Sequence, residues 1–265
     1  MNYSRFKVYD HNIRCIPSSL MQGEASWNER KKYCLSSMQF FADNDTFICL
    51  QEVVHGQLMD IARDLGNDWG YIGVGRDDGY TRGEYNPIFY CRSSWGVVES
   101  KNYWLSPTPE KPSNGWGADL NRVLTHARFR HKKKYYMVNV LNTHFDHLSV
   151  LARTNSAHQV IDVANSITCE PVVVTGDFNA PPEEECYKII SEALYDASLT
   201  SKIKYGPEVT YVGFDDSYDQ GLIDYIWTNK KTVVTRFGVL PCSMGGPYFS
   251  DHCPLLAEFE TGNTM

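Results

Sequence analysis

Two rhythms of hydrophobic and polar positions interleave along this chain. Short apolar or alternating runs at 6–9, 46–51, 69–74, 86–91, 122–130, 135–142, 171–175, 222–227, 232–239 and 253–259 predict β-strands. Apolar positions at helical spacing predict helices over 27–41, 55–65, 148–167 and 183–193. The two kinds alternate with no internal repeat, low-complexity tract or linker, which predicts a mixed α/β domain with two packed sheets flanked by helices. Residues 100–121, rich in proline and glycine and carrying Trp104 and Trp116, predict a long surface excursion of the kind that often builds substrate pockets.

Several strands run into polar residues. In "VVVTGDFNAPP" (172–182) an apolar run leads to Asp177 and Asn179. Alternation along an extended chain places i and i+2 on one side, so these two point into one cleft while Phe178 turns to the core. A polar turn closing a strand reads the same way locally. But the pattern recurs. Asn12 lies in the first strand region, Glu52 ends "FICLQE", and Asn142, His144 and Asp146 end "VNVLNTHFDH". Asp224 sits between Ile223 and Tyr225, and Asp251 and His252 precede the last strand. Taken singly, Glu52 suits a helix cap and Asp224 a partner for a backbone amide. Six strand ends each delivering a carboxylate, imidazole or carboxamide call for convergence, because a sheet gathers its strand ends.

Composition narrows the chemistry. The chain has 265 residues, 42% hydrophobic and 22% charged, ordinary for a globular protein and enough for one large domain, taken as 1–265. No apolar run is long enough to span a membrane, and the N-terminus shows no secretory h-region. Eight scattered cysteines form no C-x-x-C, and several sit in apolar runs (Cys49, Cys91), where a free buried thiol is the default. A reduced, cytoplasmic setting and a monomer are expected. The net charge of −7 disfavours a long nucleic acid, whose nonspecific binding depends on Lys and Arg. The basic run "RFRHKKK" (128–134) lies between two strands and reads as a solvated hairpin turn.

Glu52, Asp177 and Asp251 would repel a phosphate unless a divalent cation sat among them. Hard oxygen donors without thiolates favour Mg²⁺ or Mn²⁺ over zinc, and such an ion polarises a phosphoryl oxygen. His252 beside a buried Asp224 is the pairing that orients and charges an imidazole. Other signatures fail: G-x-S-x-G, H-E-x-x-H and Walker A are missing, and "GVGRDDG" (73–79) misses the dinucleotide spacing.

The ordered set Asn12, "LQE" with Glu52, "NTHFDH" with His144, "GDFN" with Asp177 and Asn179, "IDYI" with Asp224, and "SDH" with Asp251 and His252 resembles the endonuclease/exonuclease/phosphatase superfamily. The resemblance runs from residue 6 to 259 and implies a four-layered α/β-sandwich, DNase-like, with the site at one edge of both sheets. By motif it implies Glu52 as principal metal ligand, with Asn12 helping and Asp251 binding or orienting metal. Asp177 would orient or deprotonate the attacking water, and Asn179 would hold the phosphate. Asp224 and His252 would form a dyad on the scissile phosphate, with His144 supporting phosphate binding or leaving-group protonation. The first motif reads "DHNIR", where relatives often have a smaller residue before the asparagine; alternation turns His11 away from the cleft. "GVGRDDG", "GEYNPIFY", "YWLSPTPEKP" and "GWGADLNRV" further resemble a compact, mainly bacterial branch that includes a sugar-phosphate phosphatase.

Substrate choice must come from loops. Arg76, Glu84, Arg122, Trp104 and Trp116 are expected at the rim, an arginine gripping phosphate and a tryptophan either stacking on substrate or packing the excursion. A small phosphorylated substrate is expected. The alternatives are a DNA or RNA nuclease and a binding protein with a dead site.

Overall fold

The computed structural model describes residues 3–215 and 217–262. The chain runs β1 (Tyr3–Asn12), α1 (Trp27–Phe41), β2 (Thr46–Gln51), α2 (His55–Leu65), β3 (Trp69–Ile72), β4 (Ile88–Cys91), β5 (Trp95–Trp104), β6 (Val123–His131) and β7 (Met137–His144). It continues through α3 (Val150–Asn165), β8 (Val172–Asp177), α4 (Glu185–Ala193), β9 (Tyr195–Asp196), α5 (Ala197–Thr200), β10 (Ile203–Tyr205), β11 (Asp224–Thr228), β12 (Thr232–Val239) and β13 (Leu255–Gly262). One sheet has the order β10-β12-β13-β1-β2-β4-β3 and the other β5-β6-β7-β8-β11-β9.

Alternation decides the layers. In β1, Tyr9 faces α1, its hydroxyl 3.0 Å from Ser37 Oγ, while Phe6 and Val8 turn toward the second sheet. Phe47 of β2 meets Phe129 of β6 and Trp95 of β5 with ring centroids 4.7 Å apart, which packs sheet on sheet. Leu35, Met38, Leu58 and Ile61 of α1 and α2 complete that core. Ala157, Val160 and Ile190 of α3 and α4 cover the other sheet on Leu141, Val172, Val174 and Trp227. Helices, sheet, sheet, helices: the four layers expected.

Strand register positions the site. β1 and β2 are parallel, with Asn12 opposite Gln51, so Asn12 and Glu52 emerge at the same edge. β13 runs antiparallel to β1 with Leu255 opposite Asp10, which brings 251–252 to that edge. In the second sheet His144 of β7 lies opposite Asp177 of β8, and Asp224 of β11 opposite Asp177 from the other side. Gly176 permits this close approach: at φ 144, a Cβ there would lie 1.9 Å from Thr143 O.

Three features depart from the sequence reading. The expected excursion at 100–121 begins as strand, since 100–104 belong to β5. β5 is an edge strand, exposed through its middle and interrupted by a bulge between Val97 and Glu99, so apolar alternation is weak there. The short elements β9, α5 and β10 also carried too little periodicity to be foreseen. Asn142, one of the polar strand-end residues, does not reach the cleft. It lies between the sheets, accepting from Gln51 Nε2 at 2.7 Å and donating to Leu50 O and Pro87 O at 2.9 Å. The basic run behaves as expected: Arg128–His131 end β6, and the lysines turn into β7.

Candidate active site

The shared edge forms a cleft of about 390 Å³ lined by Glu52, Glu84, Arg122, His144, Asp177, Asn179, Asp251 and His252, among others. Asn12 lies fully buried beneath it, with Nδ2 donating to Asp177 Oδ2 at 2.9 Å and Glu52 Oε1 at 3.1 Å. One carboxamide thus ties the two sheets' carboxylates together. His252 Nδ1 sits 2.9 and 3.1 Å from the two Asp224 oxygens. The two rings approach Asp177 Oδ2 with their Nε2 atoms, His144 at 3.4 Å and His252 at 3.7 Å.

Two of these residues reach the cleft by strained backbone rather than by strand alternation. Glu52 (φ 60) and Asn179 (φ 50) adopt left-handed conformations, as does the neighbouring Arg14 (φ 59). Such strain concentrates at functional sites because the surroundings must over-determine it. Strand β8 has already ended at Asp177, so the i, i+2 argument for Asn179 names the right partner for the wrong reason. Asn179 N donates to Asp177 Oδ1 at 2.8 Å and its Nδ2 to Phe145 O at 3.0 Å. Phe178 is buried in the core, as expected.

The electrostatics divide the histidines. Burial disfavours a charged His252, but Asp224 and Asp177 outweigh it and hold the ring well above the usual histidine pKa. For His144, burial followed by Arg122 and Arg76 pushes the pKa well below it. The aspartates thus favour a charged His252, and burial with the two arginines favours a neutral His144. Burial, then Asp224, raises Asp177 to about 7. Burial also raises Asp251. It pushes the same way on Glu52, but Arg14 and the bonds from Cys15 N and Asn12 win, so Glu52 stays below its ordinary value.

The rim residues separate. Arg122 is buried and lines the cleft; its Nη2 donates to His147 Nδ1 at 3.2 Å, while Nε and Nη1 lack a hydrogen-bond partner. Glu84 lines the cleft and is gripped from behind by Arg76 at 2.6 and 2.9 Å. Arg76 is not among the lining residues, and neither is Trp116, whose carbonyl accepts from Ser149 Oγ at 2.9 Å. Trp104 is buried and donates to Arg76 O at 2.7 Å, so it holds the loop and presents no stacking face. Asp146 accepts the amides of Leu148 and Ser149 at 3.1 and 2.8 Å, opening α3. His11 turns from the cleft, with Nε2 3.2 Å from His252 O.

Sequence reasoning missed a strap across the dyad. Thr210, fully buried, accepts at Oγ1 from the amides of Ile223 and Asp224 at 3.1 Å each, and its carbonyl accepts from Cys253 N at 2.6 Å. Val212 N and Gly213 N donate to Asp251 O at 2.8 and 3.1 Å. Tyr211 sets its ring 5.1 Å from His252. The only local signal was "TYVGF" ahead of a buried aspartate, which nothing in its pattern distinguishes from a loop. Arg14, two residues beyond Asn12, and His147, at the end of "NTHFDH", were also passed over as cleft residues.

A family model for the endonuclease/exonuclease/phosphatase family matches residues 12–252, from the buried Asn12 to the dyad histidine. The chain belongs to this family. Members are hydrolases acting on phosphoester bonds. The chain is similar to a solved family protein of Bacteroides thetaiotaomicron, 29% identical with a TM-score of 0.91, covering 99% of this chain and 100% of that one. It is also similar to a mannosyl-6-phosphatase from Bacteroides thetaiotaomicron, 30% identical with a TM-score of 0.89, covering 96% and 99%. Human Nocturnin is 25% identical over 95% of this chain; the chain spans 61% of that relative's length.

The family site offers two candidate sets for a cation. Asp177, Asp224 and His252 bring ligand atoms within 4.8 Å of one another. In that group His252 Nδ1 is already committed to Asp224, and the two aspartates favour the charged ring, which suits a hydrogen-bond donor better than a ligand. Glu52, held below its ordinary pKa, and Asp251 both line the cleft and offer the hard oxygen donors that suit a divalent ion, while Asn12 Oδ1 accepts from Arg14 N at 3.0 Å. The two carboxylates fit such an ion. No helix among the described residues is long and apolar enough to cross a membrane.

Proposed function

We propose that this protein is a Mg²⁺- or Mn²⁺-dependent phosphatase of a small phosphorylated substrate, a sugar phosphate or a molecule of that kind. The observation that carries the reading is the cleft's polarity. Ionised Glu52 and buried Arg122 both line it; Arg122 Nε lies 3.9 Å from Asp146 Oδ2, and its Nη1 has no hydrogen-bond partner. A buried donor without a partner is costly, and phosphate oxygens complete a guanidinium well. At about 390 Å³ the cleft has small-molecule size. The likeness to a mannosyl-6-phosphatase supports the same substrate class.

In this reading Glu52 and Asp251 hold the cation, which when bound neutralises phosphate charge. Asp177 orients water for attack on phosphorus and takes its proton. Imidazolium His252, fixed by Asp224, donates to a phosphoryl oxygen, and Asn179 and Arg122 hold the others. Neutral His144 suits hydrogen bonding to phosphate better than proton donation to the leaving group.

The test is phosphate release from sugar phosphates, nucleotides and inositol phosphates, beside cleavage of labelled DNA and RNA, with Mg²⁺ or Mn²⁺. The best small ester is expected to give the higher kcat/KM. Preference for oligonucleotides would replace this reading with a nuclease, and no turnover of any ester would leave the binding protein with a dead site.

A further inference from the structure

One pair of thiols bears on the dyad without taking part in the chemistry. Cys242 and Cys253 place their Sγ atoms 3.1 Å apart, the one thiol–thiol contact among the described residues. They face each other across the loop that joins β12 to β13, which is closed by Leu240 N to Pro254 O at 2.7 Å and Phe249 N to Cys242 O at 3.0 Å. That loop carries Asp251 and His252, and Cys253 is the next residue after His252.

We propose that Cys242 and Cys253 form an oxidation site, a reversible disulfide that displaces His252 and lowers turnover. Hydrogen peroxide oxidises one thiol to a sulfenic acid, its O–O bond breaking and one water leaving. The second sulfur then attacks the sulfenic sulfur; the S–S bond forms, the S–O bond breaks and a second water leaves. The sulfurs must close from 3.1 Å to about 2.05 Å. That movement of roughly 1 Å is delivered one peptide bond from a ring held 2.9 Å from Asp224. Misplacing a reacting group by about that much can cost ~10²-fold in rate. A dithiol reductant reverses the bond by exchange.

The kinetic arm rests on the phosphatase reading; the chemical arm does not. The chain has no Lys or Arg after Arg236, so trypsin leaves both cysteines on one C-terminal fragment holding no other. After peroxide that fragment is expected to be lighter by two hydrogens. On the best phosphoester kcat is expected to fall by about tenfold or more and to return with dithiothreitol, whereas Cys242→Ser keeps its activity under peroxide. The proposal is overturned if no lighter fragment forms at a dose that oxidises exposed Cys169, or if the bond forms and kcat holds. Equal loss in Cys242→Ser also overturns it and points to Cys15, which lines the cleft. If no phosphoester is turned over, the function reading has failed, and the NMR resonances of the His252 ring, assigned through His252→Ala, decide instead. A shift on oxidation in the wild type but not in Cys242→Ser supports the proposal, and an unmoved ring overturns it.

Discussion

At the scale of single residues, the side chains that would do chemistry were more legible than those that aim them. Glu52, Asp177, Asp224 and His252 stand out because a charged group at the end of an apolar strand has few structural reasons to be there. Thr210 leaves no such trace, since its role lies in where its hydroxyl points. Replacing His252 with Ala or Asp177 with Asn is expected to cut kcat by ~10²–10⁴-fold with the circular dichroism unchanged; near-normal kcat in a folded variant removes that residue from the mechanism. Thr210→Val strands the buried amides of Ile223 and Asp224, so kcat should fall while KM changes little. Thr210→Ser restores the acceptor and should restore kcat; if serine rescues nothing, Thr210 acts through packing alone. Glu52→Gln should weaken Mn²⁺ binding measured by titration calorimetry, and an unchanged affinity would place the ion elsewhere.

Elements show why the strands were readable and the edges were not. β2 and β8 are buried at every position, so their apolar runs announce them. The middle of β5 faces solvent and stays in place through pairing with β6, which no periodicity reports. At the end of the second sheet away from the cleft, three elements are stapled together. Glu170, just before β8, accepts from Arg128 Nε of β6 at 2.9 Å and from Asn139 Nδ2 of β7 at 2.8 Å. The Arg128 hydrogen bond, opposed by partial burial, leaves Glu170 below its ordinary value of 4.5. A carboxyl depressed by folding adds stability that is whole above its unfolded pKa and is lost as pH falls through the folded one. Glu170→Gln should therefore flatten the fall of Tm between about pH 6 and 3. Equal slopes in both proteins would show that this staple takes no part in the acid response.

The whole molecule sets the terms on which a substrate arrives. A net charge of −7 gives no long-range pull on a polyanion. The basic run sits where the structure has little use for it as a phosphate track. Lys134 Nζ pairs with Asp45 at 2.8 Å and Lys132 Nζ donates to Arg92 O. Asp45 precedes β2, whose far end carries Glu52, so the lysines lie at the opposite end of the sheet from the cleft. The same opposition holds in the second sheet, where the lysines lead into β7 and its far end carries His144. A substrate with one phosphate releases few counterions, so its KM should change little with salt. A chain gripping six or more phosphates would lose on the order of 10³-fold in affinity between about 50 and 200 mM. Charge reversal at Lys132, Lys133 and Lys134 should accordingly leave kcat/KM on the best small ester nearly unchanged at both salts. If reversal instead abolishes cleavage of an oligonucleotide that the wild type prefers, the polyanion runs the length of the sheet and the small-substrate reading falls.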